Sequence, residues 1–451
     1  MTEDFLHYIW KKGLYHPLFT VGRQAESIEV LSSGERNNNA GPDFFNALIR
    51  IGGILLAGNI EIHVNSSDWI RHGHHNNKMY DTVILQLVIN PDTEVKRTNG
   101  EDIPTAVLKF DDTLRETYNH LLASSCRVAC QPYLKRVRPG IRATCLDRAA
   151  EIRLDEKASQ VRGLWYMNNK CWEETFYQQL ARNFGFRLNS VAFEMVARSL
   201  PYKYLLKHSD NLVQLEALIF GQAGFLSDEN GVRFREYPVA GSPGGIDEGC
   251  AFGVNVSVDD YYMILKKEYS FLKRKYSLEP VGKHLWKFLR LRPANFPTVR
   301  LAQFAAFISR KASVFSSVIE CRDIRSLTDL LSIKASCYWD TRFLFNRPSK
   351  FKPKNLGAFA VRSLIINAVV PVLAFYGKYR HEEKYYRRAV GFLKMLPPEF
   401  NAIVAVWTGA GISPENAWQS QALLQLKNEF CTYRRCLECE MGTSIIFRES
   451  Y

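Results

Sequence analysis

Asp43, Glu61 and His63 stand where the chain reads as consecutive strands. In AGPDFFNALIRIGGILLAGNIEIHVNSSDWIRHGHH (residues 40–75), Asp43 lies at the mouth of one apolar run and Glu61 lies inside the next, between Ile60 and Ile62. A carboxylate within an otherwise apolar strand is costly to bury unless a cation or another partner meets it. Strand side chains alternate, so Glu61 and His63 share one face and Ile60 and Ile62 take the other. If the two runs are adjacent strands, Asp43 and Glu61 meet at one edge of the sheet and can share a hard divalent cation, Mg2+ or Mn2+. His63 then stands beside them as a neutral base able to take a proton from water. The competing reading is a loop aspartate after Pro42 and an edge glutamate in an ordinary salt bridge.

Asp68, His72, His74 and His75 follow closely, and three of the ten histidines of the chain fall within positions 72–75. They could form a second metal site, or a base and phosphate contacts beside the first cation. The alternative is a polar loop whose histidines face solvent or pack on Trp69. Gln86, inside the apolar run TVILQLVI, is a further polar outlier that could line the same site.

Two other groups of residues could do chemistry. FCTYRRCLECEMG places Cys431, Cys436 and Cys439 in a C-x4-C-x2-C pattern, in which a short turn brings two thiolates to one ion. Zn2+ is the first expectation and an iron–sulfur cluster the second. Cys126 or Cys130 could supply the fourth ligand, and Arg434 and Arg435 would favour the thiolates. Three reduced cysteines at a helix end are the alternative. In WKFLRLRPANFPTVR (286–300), Arg290, Arg292 and Arg300 alternate with Trp286, Phe288 and Phe296, which suits phosphate contact and base stacking. Core aromatics and arginines paired with acids would give the same pattern.

The elements that must position these residues read as two parts. Residues 2–12 form a short helix with Thr2 as N-cap and Phe5, Leu6, Ile9 and Trp10 on one face. Strands are expected near Ile28–Leu31, at Phe44–Ile51, Ile54–Val64 and Thr82–Ile89, and at 104–110, with a helix over 112–123. This is an α+β module at 1–125. From Glu151 the apolar spacing becomes helical: 172–200 broken at Gly185, a helix pair over 212–226, and Val258–Tyr276. Residues 227–258 read as an exposed Gly- and Pro-rich excursion, and Pro293 and Pro297 mark a helix terminus. Residues 126–451 are thus a larger, mainly helical part. No apolar run approaches the roughly 18–20 residues of a membrane helix. The start MTEDFLHYIWKK lacks the form of a signal peptide, so a cytoplasmic protein with reduced cysteines and no membrane partner is expected.

Charge divides along the same line. Residues 1–125 carry 11 Lys+Arg against 16 Asp+Glu, residues 126–451 carry 48 against 30, and residues 341–394 carry 12 against 2. A field of that sign attracts polyanions at long range, so nucleic acid is the expected partner of the second part. The alternative is a basic, soluble surface with no partner.

The arrangement Gly41-Pro42-Asp43 … Glu61-Ile62-His63 resembles the core of the PD-(D/E)XK nuclease superfamily, in which Asp opens one strand and E-x-K lies in the next. The resemblance implies a restriction-endonuclease-like mixed sheet with flanking helices and metal-dependent phosphodiester hydrolysis. His63 stands where that superfamily has Lys, which orients or activates the attacking water. Over its whole length the chain resembles a bacterial family, domain of unknown function 2851, in NNNAGPDF, EIHVNSSDWIRHGHH, QLEALIFGQAGFL, WKFLRLRPANFPTVRLAQFA and the final Cys-rich run. That resemblance implies that both parts travel as one unit. The functional readings are therefore a metal-dependent nuclease, or a catalytically inactive scaffold of the same fold that binds nucleic acid or a protein. A metal hydrolase acting on a small molecule through His63, His72 and His74 is a third, and it leaves the basic remainder unexplained.

Overall fold

The reversal Ile51-Gly52-Gly53-Ile54 sets the register of the N-terminal sheet. Gly52 and Gly53 both have positive φ, 53° and 90°, which a two-residue hairpin loop requires and which side chains resist. With Ile51 opposite Ile54, strands β4 (Phe44–Ile51) and β5 (Ile54–Ile62) pair antiparallel. The computed structural model that shows this describes residues 2–22, 24–227, 258–310 and 313–447.

The chain divides into two compact units. The first comprises Met1–Leu146, Ala405–Ile412 and Leu426–Tyr451, and the second Asp147–Val404 and Ser413–Gln425. The first unit therefore runs past residue 125 and takes back the C-terminal segment that periodicity alone groups with the helices.

In the first unit the strands β1 (Leu18–Phe19), β2 (Ser27–Ser32), β4, β5, β6 (Val83–Val88) and β7 (Thr105–Val107) follow one another across the sheet, and β3 (Glu35–Arg36) pairs with β4. Pairing is antiparallel from β1 to β5 and parallel for β5–β6 and β6–β7. The sheet is mixed, as expected, but it is not the open sheet of a restriction-endonuclease core. Thr20 bridges Ala106, Val21 N–H donates to the Thr105 carbonyl (2.7 Å) and His16 N–H to the Lys109 carbonyl (2.8 Å), which brings β1 back against β7 and nearly closes a barrel. β6 lies between two parallel neighbours and is almost wholly buried, hence its unbroken apolar sequence. Helix α1 (Glu3–Lys12) buries Phe5, Leu6, Ile9 and Trp10 completely. Phe5 stacks on Tyr118 of the helix Asp112–Ala123 at 5.0 Å. The Thr2 hydroxyl makes no capping bond; its carbonyl accepts from Phe5 N–H instead.

The second unit is helical. The helices Trp172–Phe184 and Phe186–Ser199 meet at Gly185, where the apolar period breaks. The pair expected over 212–226 is one helix, Leu212–Gln222, because the chain turns at Gly224 with φ 77°. The excursion at 227–258 lies, apart from its end residues, outside the described residues. Ala358–Arg380 is a continuous helical stretch of 23 residues that is apolar and long enough to cross a membrane, contrary to the expectation that no segment is. Most of it is buried in its own unit, as in a core helix. Pro371 cannot donate a hydrogen bond to the Asn367 carbonyl. The helix widens to a π turn over Ile365–Val369, and that carbonyl accepts from Gln179 Nε2 (3.0 Å) and Asn183 Nδ2 (3.3 Å).

Glu216 is fully buried in this unit, where its Oε2 accepts from Tyr261 Oη (2.8 Å) and Trp339 Nε1 (3.3 Å). Burial raises its carboxyl from 4.5 to about 7. A carboxyl raised on folding contributes stability that is complete below its unfolded value and is lost as pH rises through its folded value. Thermal unfolding of wild type should therefore weaken between pH 5 and pH 8. Glu216→Gln should match wild type near pH 5 and exceed it at pH 8. A parallel pH profile for the two proteins would refute the assignment.

Candidate metal centre

The β4–β5 register does the first work at the site. Phe44 faces Ile60, so Asp43 falls opposite Glu61, and the parallel pairing of β5 with β6 sets Glu61 beside Gln86. The two acids are locked reciprocally: Asp43 N–H donates to Glu61 Oε2 (3.0 Å), and Ile62 N–H donates to Asp43 Oδ2 (2.9 Å). A bulge follows at Asn46, whose φ is 57° and whose N–H donates to Asn59 Oδ1 (3.2 Å). It lets β4 bend away after placing Asp43.

Imidazoles surround this pair. His7 Nε2 of α1 lies 3.0 Å from Asp43 Oδ2. Glu61 Oε1 lies 3.2 Å from His74 Nε2 and 3.5 Å from His63 Nε2. Ligand nitrogens of His63, His72 and His74 all lie within 4.8 Å of one another. His74 is held flat on Tyr80, centroids 3.8 Å apart, with Trp69 edge-on at 5.3 Å. Gln86, fully buried, sends Nε2 to His63 Nδ1 (3.2 Å) and to the Ser66 carbonyl (3.3 Å), while its Oε1 accepts from Thr105 Oγ1 (3.3 Å). A carbonyl only accepts, so it fixes which way the amide faces. His63 Nδ1 is then the acceptor, and the imidazole proton sits on Nε2, toward Glu61.

Burial sets the charges. It pushes Glu61 up to about 9, with Asp43 adding repulsion, and pushes His63 down to about 4, with His74 adding to the fall. His74 is lowered and Tyr80 raised to about 12, both chiefly by burial. At neutral pH and without a cation, Glu61 keeps its proton and His63 is neutral. A divalent cation would reverse that balance, because its charge favours the carboxylate over the acid.

Asp43, Glu61, His63, His72, His74 and Gln86 thus come together. His75 does not, and Asp68 joins them through its charge, which acts on His63 and Glu3, and not through a hydrogen bond. Asp68 is buried but turned to Arg71 (2.7 Å) and the Asn65 N–H (3.1 Å), and His75 faces Asn76 Nδ2 (2.8 Å). Sequence reasoning missed His7, Glu3 and Tyr80. Glu3 and His7 are spaced i, i+4 beside the apolar stripe of α1, which is the signal that could have found them. Asp43 raises and His7 lowers the Glu3 carboxyl, whose net upward shift is led by burial. Among the arginines, Arg290 and Arg292 are exposed, but Arg300 is buried. Its Nη1 and Nη2 donate to Gln303 Oε1 (2.8 Å) and Asn295 Oδ1 (2.6 Å), and its guanidinium stacks on Phe186 at 4.8 Å. It is engaged inside the protein, which corrects its reading as a phosphate contact.

Fold and site define an α+β protein whose nearly closed mixed sheet carries a carboxylate–imidazole cluster, with a helical second unit. The chain belongs to the family described as Protein of unknown function (DUF2851), whose model matches residues 3–402. No curated protein and no solved structure matches it.

The Gln86 geometry makes a direct prediction. Nitrogen-15 spectra of the metal-free protein should show His63 as the Nε2–H tautomer. Gln86→Glu, which when ionised presents only acceptors to Nδ1, should move it to Nδ1–H. A wild-type His63 already protonated on Nδ1 would refute the assignment.

Proposed function

We propose that the protein is a metal-dependent phosphodiesterase acting on nucleic acid, with its centre at Asp43, Glu61, His63, His72 and His74. The observation that carries this reading is the reciprocal backbone lock of Asp43 and Glu61 between the adjacent interior strands β4 and β5, with three imidazole nitrogens gathered within 4.8 Å beside them. A mixed oxygen and nitrogen donor set suits Mn2+ better than Mg2+, which prefers oxygen ligands and water. Such a cation, when bound, polarises a phosphoryl oxygen and acidifies bound water. Glu61 and Asp43 supply the negative charge that holds it. His63, kept neutral by burial, offers a lone pair toward the centre only as the Nδ1–H tautomer with the Gln86 amide turned from it, and in that form can take a proton from an attacking water.

The nearly closed sheet departs from the PD-(D/E)XK fold, so the reading rests on the acids themselves, and His63 in place of a Lys changes the chemistry. A neutral imidazole accepts a proton but adds no positive charge opposite a phosphate. The 48 Lys+Arg against 30 Asp+Glu in residues 126–451 supply the attraction to a polyanion instead. A second reading, an inactive scaffold that binds nucleic acid or a protein, is favoured by one observation: Glu61 is pushed up to about 9, and a protonated carboxyl is a poor ligand.

The test joins calorimetric titration with Mn2+ to cleavage of end-labelled single-stranded DNA, duplex DNA and RNA by the full chain. Wild type should bind Mn2+ and cleave at least one substrate. Glu61→Gln and Asp43→Asn should lose metal, and His63→Ala should keep metal but slow cleavage by about 10²-fold or more. Binding to the substrate should weaken steeply with salt. No Mn2+ binding, with salt-sensitive nucleic-acid binding intact, would replace this reading with the scaffold. Cleavage that survives Glu61→Gln would place the chemistry elsewhere.

A further inference from the structure

The first unit gathers cysteines from distant parts of the chain. Cys130 precedes the short turn Gln131–Arg136, and Cys145 lies in the first turns of the helix Pro139–Met167. Cys431 ends the π turn Leu426–Cys431, Cys436 opens the turn Cys436–Glu438, and Cys439 caps the helix Glu440–Ile446. Cys130, Cys145 and Cys439 are buried, and Cys431 and Cys436 are half-buried.

The local backbone is built to bring them together. Arg434 adopts a left-handed φ of 56°, and its guanidinium donates to the carbonyls of Ser124 and Cys126, which fastens the C-terminal loop to the segment leading into Cys130. A Cβ at Gly442 would come within 2.2 Å of the Cys436 carbonyl oxygen, so only glycine lets the last helix close over that loop. The sulfurs of Cys145 and Cys439 are 3.7 Å apart, the separation of an S–H···S hydrogen bond. Ionisation of Cys130 is opposed by Cys439, Cys431 and Cys436, that of Cys431 by Cys439 and Cys436, and that of Cys436 by Cys439. Four thiols therefore stand close enough to feel one another's charge.

Spacing separates the candidate metals. Around one tetrahedral zinc, with Zn–S of about 2.3 Å, the sulfurs lie about 3.8 Å apart. Among the described residues no three cysteine sulfurs lie within 4.8 Å of one another. Thiolates that each bind a different iron of a polynuclear cluster stand farther apart than that. That spacing suits a polynuclear cluster better than a single zinc, the metal that the Cys-x2-Cys spacing puts first.

We propose that Cys130, Cys431, Cys436 and Cys439 hold a [4Fe–4S] cluster, with Cys145 donating its S–H to the Cys439 sulfur. The cluster fastens the C-terminal segment to residues 124–136 of the same unit. Cys130 and Cys439 are buried and Cys431 and Cys436 half-buried, so four thiolates there would need a positive partner. The positive charge of the irons supplies what the pocket otherwise obtains from protons. The Cys145 sulfur, 3.7 Å from that of Cys439, is placed to give that hydrogen bond.

The test uses the full chain, purified without oxygen or reconstituted with iron and sulfide. About four iron and four sulfide per chain are expected, with broad visible absorption that bleaches on reduction. Cys130→Ser and Cys436→Ser should lose most of the iron, while Cys126→Ser and Cys171→Ser should keep it. Cys145→Ala should keep the iron and lower the reduction potential, because a hydrogen bond to a cluster sulfur favours the reduced form. The wild-type metal content does not depend on whether any variant folds. Stoichiometric zinc in place of iron, no metal after reconstitution, or a Cys145–Cys439 disulfide in protein kept from oxygen would each overturn the proposal. So would equal iron loss in Cys126→Ser and Cys130→Ser. The centre at Asp43 and Glu61 plays no part in this outcome.

Discussion

The antiparallel register of Phe44 against Ile60 is the constraint on which the rest of the site depends. A one-residue slip would turn Glu61 from the cluster to the opposite face and replace it with Ile60 or Ile62. Several features hold the register. The Gly52-Gly53 reversal sets it from one end, and the Asp43 and Glu61 side chains set it from the other by accepting each other's strand N–H groups. The acids are thus part of the sheet's hydrogen bonding as well as of the site. Neither can be moved without unlocking the strand that carries the other.

Those bonds occupy one oxygen of each carboxylate, Oε2 of Glu61 and Oδ2 of Asp43. Glu61 Oε1 is left facing His63 and His74, neither of which is driven to be a cation. Burying a carboxylate beside neutral rings and a second acid is unfavourable, and the pocket relieves this by keeping the proton. The same group can relieve it by exchanging the proton for a metal. An apolar packing of equal volume would need neither, so the cluster costs stability in a place where Trp69, Tyr80, Val83, Val95 and Ile103 already form a core.

Much of the first unit was legible in the sequence because its strands alternate or run apolar over six residues or more. β4 runs over the expected residues, and β5 and β6 fall within one or two residues of expectation. Parity alone placed Glu61 and His63 together. Closure of the sheet was not legible, because β1 is two residues long and meets β7 through single bridges. His7 was hidden because a helix residue reaches a sheet edge only through tertiary packing. Asp68 is held by local partners, Arg71 and the Asn65 N–H, and reaches His63 and Glu3 through its charge alone. Arg300 looked like a surface cation because pattern cannot tell that Asn295, Gln303 and Phe186 enclose it.

The return of the C-terminus was the least legible feature, and it raises an energetic question. Bringing Cys431–Cys439 to Cys130 across some 300 intervening residues of free chain would cost about 6 kcal/mol of closure entropy. The second unit lowers that cost by about 2 kcal/mol by tying its own two ends together. Trp418 Nε1 donates to Asp147 Oδ1 (2.7 Å), and Arg153 Nε donates to Gln421 Oε1 (2.7 Å). Lys157, its amine lowered to about 7 by burial, donates to the same Gln421 oxygen (2.7 Å) and to Asn367 Oδ1 (2.8 Å). Once these contacts form, the chain from Leu426 onward starts near the level of the chain it left at Leu146. The loop to be closed is then a few tens of residues, not hundreds. Contacts inside the helical unit thus shorten the closure that brings the C-terminal segment back to the first unit.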